Sequence, residues 1–226
     1  MTKFIAIEGI DGTGKNTQST ALVEYLRNKL GKKVLELDFP RYDKSSARYV
    51  SRYLNGEYGP EVAPDLAAIL YAFDRWQAKP EIDKFIAKNP DGFIVSNRYV
   101  MSNLAHQGGK ISDSKKRHEF YDEKMNLEFE QFQIPRPDIN FVLLLPSTAA
   151  QANIDKKSKR NYTNKKRDLH ESDLKHLNNT ASAYRELVKL YPDNFIAINC
   201  WDSGKDQMRT IDEIHTNICD LLKIML

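Results

Sequence analysis

A doubly wound α/β fold, one parallel five-stranded sheet flanked by helices, is what the sequence predicts, and three observations predict it. Short continuous apolar runs recur along the chain. β-Branched residues sit in those runs, as in strands covered on both faces. Longer stretches of helical periodicity separate them, and strand–helix alternation builds a parallel sheet. A length of 226 residues suits one compact domain, or one domain with a small lid, and is enough to bury a sizeable core.

Taken in order, Phe4-Ile5-Ala6-Ile7 reads as the first strand and Val34 to Leu37 as the second. Phe93-Ile94-Val95 is the third, Phe141 to Leu145 the fourth and most apolar, and Phe195 to Ile198 the fifth. Ala21, Leu22, Tyr25 and Leu26 form the apolar face of one helix. Leu66 to Trp76, Asp173 to Leu190 and Ile211 to Ile224 supply three more. Pro40 follows the second strand, and Gly56, Gly59 and Pro60 lie between neighbouring helical stretches. Pro135 and Pro137 precede the fourth strand, and Pro192 ends the long helix before the fifth. No second domain is visible.

Hydrophobic residues make up 41% and charged residues 29%, the balance of an ordinary soluble globular chain. No apolar run approaches the ~20 residues of a membrane span, and Met1 to Gly9 lacks the pattern of a signal peptide. Cys200 and Cys219 form no CxxC pair, so buried small hydrophobes in a reducing cytoplasm are expected. Seven basic residues and no acidic one lie between Lys156 and Arg167. Elsewhere acidic residues outnumber basic ones by four, which argues against a general nucleic-acid binder.

Gly9-Ile10-Asp11-Gly12-Thr13-Gly14-Lys15 fits G-x-x-x-x-G-K between a predicted strand and a predicted helix. Glycines let successive N–H groups turn inward, and the following helix N-terminus completes an anion cradle. Lys15 then reaches the outer phosphates of a nucleoside triphosphate. A hydroxyl residue usually follows that lysine and binds magnesium. Asn16 takes its place, with Thr17 next.

Three more segments sharpen the reading: Asp38-Phe39-Pro40-Arg41-Tyr42, Tyr71-Ala72-Phe73-Asp74-Arg75, and Asn97-Arg98-Tyr99 through Gln107. Their order and spacing resemble those of thymidylate kinases from Phe4 to about Tyr191. The resemblance implies a single P-loop kinase domain over residues 1–226, with a short mobile basic lid at about 154–170. It implies an acceptor site for thymidine 5′-monophosphate in which Tyr71 stacks on the base and Arg75, one helical turn on, meets a base carbonyl. Phe39 and Pro40 form an apolar wall, Asn103 meets the base edge, and Tyr42, Ser102 and Gln107 line the same pocket. Arg98 holds the acceptor phosphate, with Asp11 close by. ATP phosphates fall to Gly9, Gly12, Thr13, Gly14, Lys15, Asn16 and Thr17.

The resemblance also implies Mg2+, with Asp11 and Glu171 on the metal side, and commonly a homodimer. Asp168 and Glu171 equally fit a helix capping box, and the two roles are compatible. Relatives of one kind carry a catalytic arginine in the phosphate loop, and Ile10 to Thr13 contain none. Arg160, and after it Arg167, is the expected donor from the lid, the bland alternative being a solvated charge run. Asn97 stands where the family usually has aspartate, and His106 where an aromatic is common. An ATP-dependent thymidylate kinase is the first reading. A kinase for another nucleoside monophosphate or a deoxynucleoside, and a nucleotide-binding module with little catalysis, are the alternatives.

Overall fold

In the computed structural model, residues 1–156 and 174–225 are described. Strand β1 (Lys3–Gly9) is central, between β3 (Phe93–Asn97) and β4 (Ile139–Leu144). Outside these lie β2 (Val34–Asp38), against β3, and β5 (Phe195–Asn199), against β4. Every pairing is parallel. The register sets Ile7 beside Asn97, Asp38 beside Asn97 and Gly9 beside Leu143. The carboxyl ends of β1, β2 and β3 therefore converge at one edge, where open α/β sheets bind ligands.

Helix α1 (Lys15–Glu24) leaves the phosphate loop and widens into a π-turn over Tyr25–Lys29. Then come α2 (Arg48–Leu54), α3 (Pro64–Lys88), α4 (Val100–Gly108), α5 (Ser114–Met125) and α6 (Ser147–Asp155). Helices α7 (Leu174–Leu190) and α8 (Ile211–Met225) flank the last strand. A small antiparallel hairpin, β6 (Trp201–Asp202) with β7 (Gln207–Met208), precedes α8. Ile5, Ala6, Ile7, Phe141 and Val142 are sealed from solvent, as the apolar runs of a covered sheet must be. A second, smaller cluster joins Val50, Tyr53, Leu54 and Ala67, with Tyr42 and Tyr71 against it.

All five strands form where the apolar runs predict them. Strand β4 starts two residues before Phe141 and ends at Leu144, short of Leu145. Helix α3 continues past Trp76 to Lys88 and carries Pro80 in its interior. The lost N–H of Pro80 is outweighed locally by burial, since Ala78 and Ile82 on either side are sealed in the core. Helix α5 has so polar a sequence, SKKRHEFYDEKM, that no apolar period announces it. Its start is set by Asp113, whose side chain accepts from the Lys116 N–H at 2.9 Å.

Gly12 adopts φ +84°, and a Cβ there would collide with the Ala150 carbonyl of α6. The expected outcome of Gly12→Ala is a loss of at least about 2 kcal/mol, from left-handed strain and overpacking together. Urea denaturation measures it, and an unchanged midpoint would mean that the loop and α6 separate at no cost.

Candidate functional site

The phosphate loop connects β1 to α1 at the central strand. Gly9, Gly12 and Gly14 all have positive φ, so the backbone folds back on itself before the helix. Gly14 is the left-handed N-cap of α1 and provides no side-chain cap, leaving the first N–H groups available to an anion. Lys15 is buried; its Nζ donates to the Ile10 carbonyl at 2.8 Å and lies 3.9 Å from Asp11 Oδ1. Thr13 Oγ1 donates to the same carbonyl at 2.9 Å. Asn153 of α6 donates to the Gly12 carbonyl at 2.9 Å, pinning the loop from outside. Asn16 and Thr17 are exposed at the mouth.

A cleft of about 600 Å³ opens from this loop along the carboxyl edge of the sheet. Gln18, Met208 and Ile211 line it, as do Phe39, Tyr71 and Asn103. The Phe39–Pro40 peptide is cis. Tyr42, Pro40, Ser102 and Gln107 also face the cleft.

Arg98 dominates the middle of the cleft. Its backbone is left-handed at φ 65°, an uncommon state for a residue with a side chain. The surroundings hold it there, because its N–H donates to Ile7 O at 2.9 Å and its carbonyl accepts from Ser96 Oγ at 2.5 Å. The guanidinium donates to Asp11 Oδ1 at 2.5 Å, to Ser102 Oγ at 3.2 Å and to His106 Nε2 at 3.2 Å. Arginine only donates, so His106 Nε2 accepts, and His106 Nδ1–H donates to His176 Nε2 at 3.3 Å. Burial works against the charge on Arg98, and Asp11 beside it more than offsets that, so the group stays cationic.

Arg75 does not sit where a solvated helix charge would. It is 2% exposed and grips Glu128, itself fully buried, through Nε and Nη2 at 2.5 and 2.7 Å. That leaves Nη1 for the cleft that Arg75 lines. Glu128 also accepts from Asn103 Nδ2 at 3.1 Å, and Ala68 O takes the same amide at 3.1 Å. Asn103 Oδ1 is thereby turned away from both, as an acceptor. Tyr71 and Arg75 share the cleft-facing side of α3, as their spacing predicts.

Asn97 Nδ2 donates to Asp38 Oδ1 at 2.8 Å, while Asn97 Oδ1 is buried without a partner among the described residues. Burial pushes the Asp38 carboxyl above its ordinary range, against the pull of Arg98. Among the described residues, five buried side-chain polar atoms lack a partner, and four of them belong to residues that line this cleft: Gln18 Oε1, Asn97 Oδ1, Asn103 Oδ1 and Gln107 Nε2. Buried polar groups are ordinarily satisfied, so unmet capacity gathered in one cavity marks a ligand site.

The expected residues of the loop and acceptor pocket therefore converge on one cleft. Gly9 lies beneath it, with the Leu143 carbonyl where a Cβ would be. Arg160, Arg167, Asp168 and Glu171, with the lid at about 154–170 beyond Lys156, lie outside the described residues. Sequence reasoning missed Glu8, Asp38 and Glu128. Glu8 and Glu128 are fully buried carboxylates, and a lone Glu in an apolar run, as in Phe4-Ile5-Ala6-Ile7-Glu8, was the signal available for the first. Nothing local sets Glu128 apart from its neighbours Glu123 and Glu130.

A family profile described as Thymidylate kinase matches residues 7–211. The thymidylate kinase of Mycobacterium tuberculosis (strain CDC 1551 / Oshkosh) is 32% identical over 192 residues, covering 82% of this chain and 85% of its own. A probable thymidylate kinase of Thermococcus kodakarensis is 26% identical over 99% of this chain and 98% of its own. Among solved structures, the thymidylate kinase of Candida albicans superposes with a TM-score of 0.72 at 18% identity, covering 99% of this chain and 92% of that one. This last likeness speaks for the fold.

Removing Glu128 would strand the Arg75 guanidinium in the core. Glu128→Ala is expected to cost about 3–5 kcal/mol of stability, the scale for breaking a buried pair on one side. Urea denaturation measures the loss; a cost under ~1 kcal/mol would show that Arg75 reaches solvent or another acceptor.

Proposed function

The chain belongs to the thymidylate kinase family, and we propose that the two ends of its cleft divide the reaction between donor and acceptor. The reaction moves the terminal phosphoryl group of ATP to thymidine 5′-monophosphate, giving thymidine 5′-diphosphate and ADP. Four unpartnered polar atoms on residues that line one cleft, which starts at a phosphate loop, are the observation that carries this reading.

The loop amides of Gly12 to Asn16 and the α1 N-terminus cradle the donor phosphates. Lys15 exchanges the Ile10 carbonyl for a phosphate oxygen when ATP is bound. Arg98, pre-aimed by Asp11, Ser102 and His106, holds the acceptor phosphate in line with the donor. Tyr71 stacks on thymine beside the wall of Phe39, Pro40 and Tyr42. Asn103 Oδ1 is the acceptor for the base N3–H, and Arg75 Nη1 and Gln107 Nε2 are donors for its carbonyls. Little covalent chemistry is left to the protein beyond alignment, charge neutralisation and exclusion of water. The lid arginines Arg160 and Arg167 remain proposals from the sequence.

Magnesium takes oxygen ligands and keeps several waters. The donor set here fits it: Asp11 and Asp38 supply carboxylates, and Asn97 Oδ1 is an amide oxygen with no other partner among the described residues. These residues, with Glu171 from the lid segment, would hold the ion or its waters. Bound there, it would offset the negative charge that develops on the phosphate oxygens in transfer.

A cytoplasmic setting agrees with the absence, among the described residues, of a helix long and apolar enough to cross a membrane. Leu66, Ile69, Phe73 and Trp76 form a stripe along α3 and are 40–54% exposed. Their spacing of three and four residues suits helix-to-helix burial, and we assign this face to a homodimer contact.

The direct test is ADP release with each nucleoside monophosphate in turn across a magnesium titration. Turnover is expected with thymidylate and magnesium, and Lys15→Ala is expected to lower it at least ~100-fold. Turnover with a different monophosphate alone would reassign the acceptor; a Lys15→Ala rate within a few-fold of the parent would unseat the phosphate-loop role. For assembly, light scattering should report a dimer for the parent and a monomer for Phe73→Asp. A parent that scatters as a monomer at all concentrations would remove the dimer proposal.

A further inference from the structure

Lys110 sits just beyond the end of α4, behind the wall of the acceptor pocket rather than in it. Its Nζ donates to Gln107 Oε1 at 2.7 Å and to the Tyr53 hydroxyl at 2.5 Å, and lies 5.2 Å from the centre of the Tyr53 ring. Among the described residues no carboxylate reaches it. Desolvation without a counter-charge pushes the Lys110 ammonium down to about 8. A partly buried lysine without a carboxylate is costly to fold around, and its contacts are to neutral groups of the pocket wall.

Gln107 is fully buried, lines the cleft, and could in principle present either end of its amide to a ligand. Lysine carries only donors, so the amide end that meets Lys110 must be the oxygen. The other end, Nε2, is the buried atom without a partner. The orientation of the amide thus follows from Lys110, and it leaves Nε2, on a residue that lines the cleft, as the end with hydrogens still to donate. Tyr53, the second contact of Lys110, meets the Tyr71 ring edge-on at 6.3 Å, so the same lysine braces the stacking wall.

We infer that Lys110 is a positioning residue for acceptor specificity: it locks the Gln107 amide so that Nε2 donates to a carbonyl oxygen of the bound pyrimidine. The inference rests on the thymidylate reading of the cleft. It adds a residue outside that cleft which decides the sign of one hydrogen bond within it. With Asn103 held as an acceptor by Glu128, the pocket offers an ordered acceptor and donor, the complement of a base bearing N–H beside C=O. A base with an amino group in place of that carbonyl would face a donor with a donor.

The test is a double-mutant cycle read by calorimetric titration of thymidine 5′-monophosphate, with ATP titrated separately. Lys110→Met is expected to weaken thymidylate binding about five- to tenfold, the worth of one hydrogen bond, and to affect ATP binding far less. Lys110→Arg, which still donates, should restore most of the affinity. Gln107→Met alone should weaken binding by a similar factor. In that background Lys110→Met should add less than about twofold, because the bond it supports is already gone. Losses that multiply across the two sites, or equal weakening of thymidylate and ATP, would overturn the inference while leaving the thymidylate site in place. Failure of Lys110→Arg to recover affinity would overturn it as well. A parent that binds no thymidylate at all would overturn the functional reading and this inference with it.

Discussion

Glu8 is the group from which the geometry of the site follows. It is a fully buried carboxylate on the central strand, one residue before the phosphate loop. It accepts from the Tyr99 N–H at 2.7 Å, from Ser102 Oγ at 2.5 Å and from the Tyr184 hydroxyl at 3.2 Å. Burial pushes its pKa up; the Ser102 hydrogen bond and the Arg98 charge pull the other way. One side chain of β1 thereby ties down the start of α4 and the middle of α7. Arg98 lies next to Tyr99, so the left-handed turn that aims its guanidinium is anchored at this point. An uncompensated carboxylate here would cost several kcal/mol, which is why three donors converge on it.

The cleft holds a second buried charge pair, Arg75 with Glu128, and the two ion sites act alike. In each, an arginine that lines the cleft is held by a carboxylate: Arg98 by Asp11, Arg75 by Glu128. A guanidinium restrained in this way loses little freedom when a ligand arrives. The Asn103 amide is oriented by the same Glu128, and the Gln107 amide by Lys110. Polar groups left without partners inside the fold are tolerable only because a ligand or water completes them. Preorganisation of this kind is how positioning and electrostatics carry a phosphoryl transfer.

Much of this was legible in the sequence, and the reason differs by element. The five strands were readable because a parallel strand covered on both faces carries a continuous apolar run, as Phe141 to Leu144 does in β4. The phosphate loop was readable because its glycines answer a local backbone demand. Tyr71 and Arg75 were readable as a pair because helical spacing puts them on one face. Helix α5 was not, since its helical character rests on a cap at Asp113 and on contacts made late in the chain. The hold of Glu186 on Arg117, His118 and Tyr121 joins α5 to α7 across more than sixty residues, and it draws the Glu186 carboxyl down to about 2.

Local rules therefore account for the succession of apolar strands, for the glycine loop after the first of them and for the shared cleft-facing side of Tyr71 and Arg75. Periodicity, glycine geometry and the spacing of neighbours along one element are all written in the chain. Which carboxylates serve those side chains is a matter of the assembled fold. Glu8, Asp38 and Glu128 lie 94, 59 and 53 residues from Ser102, Asn97 and Arg75, the partners they meet. A buried charge is tolerable only when the fold delivers its partner, and that delivery depends on sheet register and helix packing, which no local pattern records.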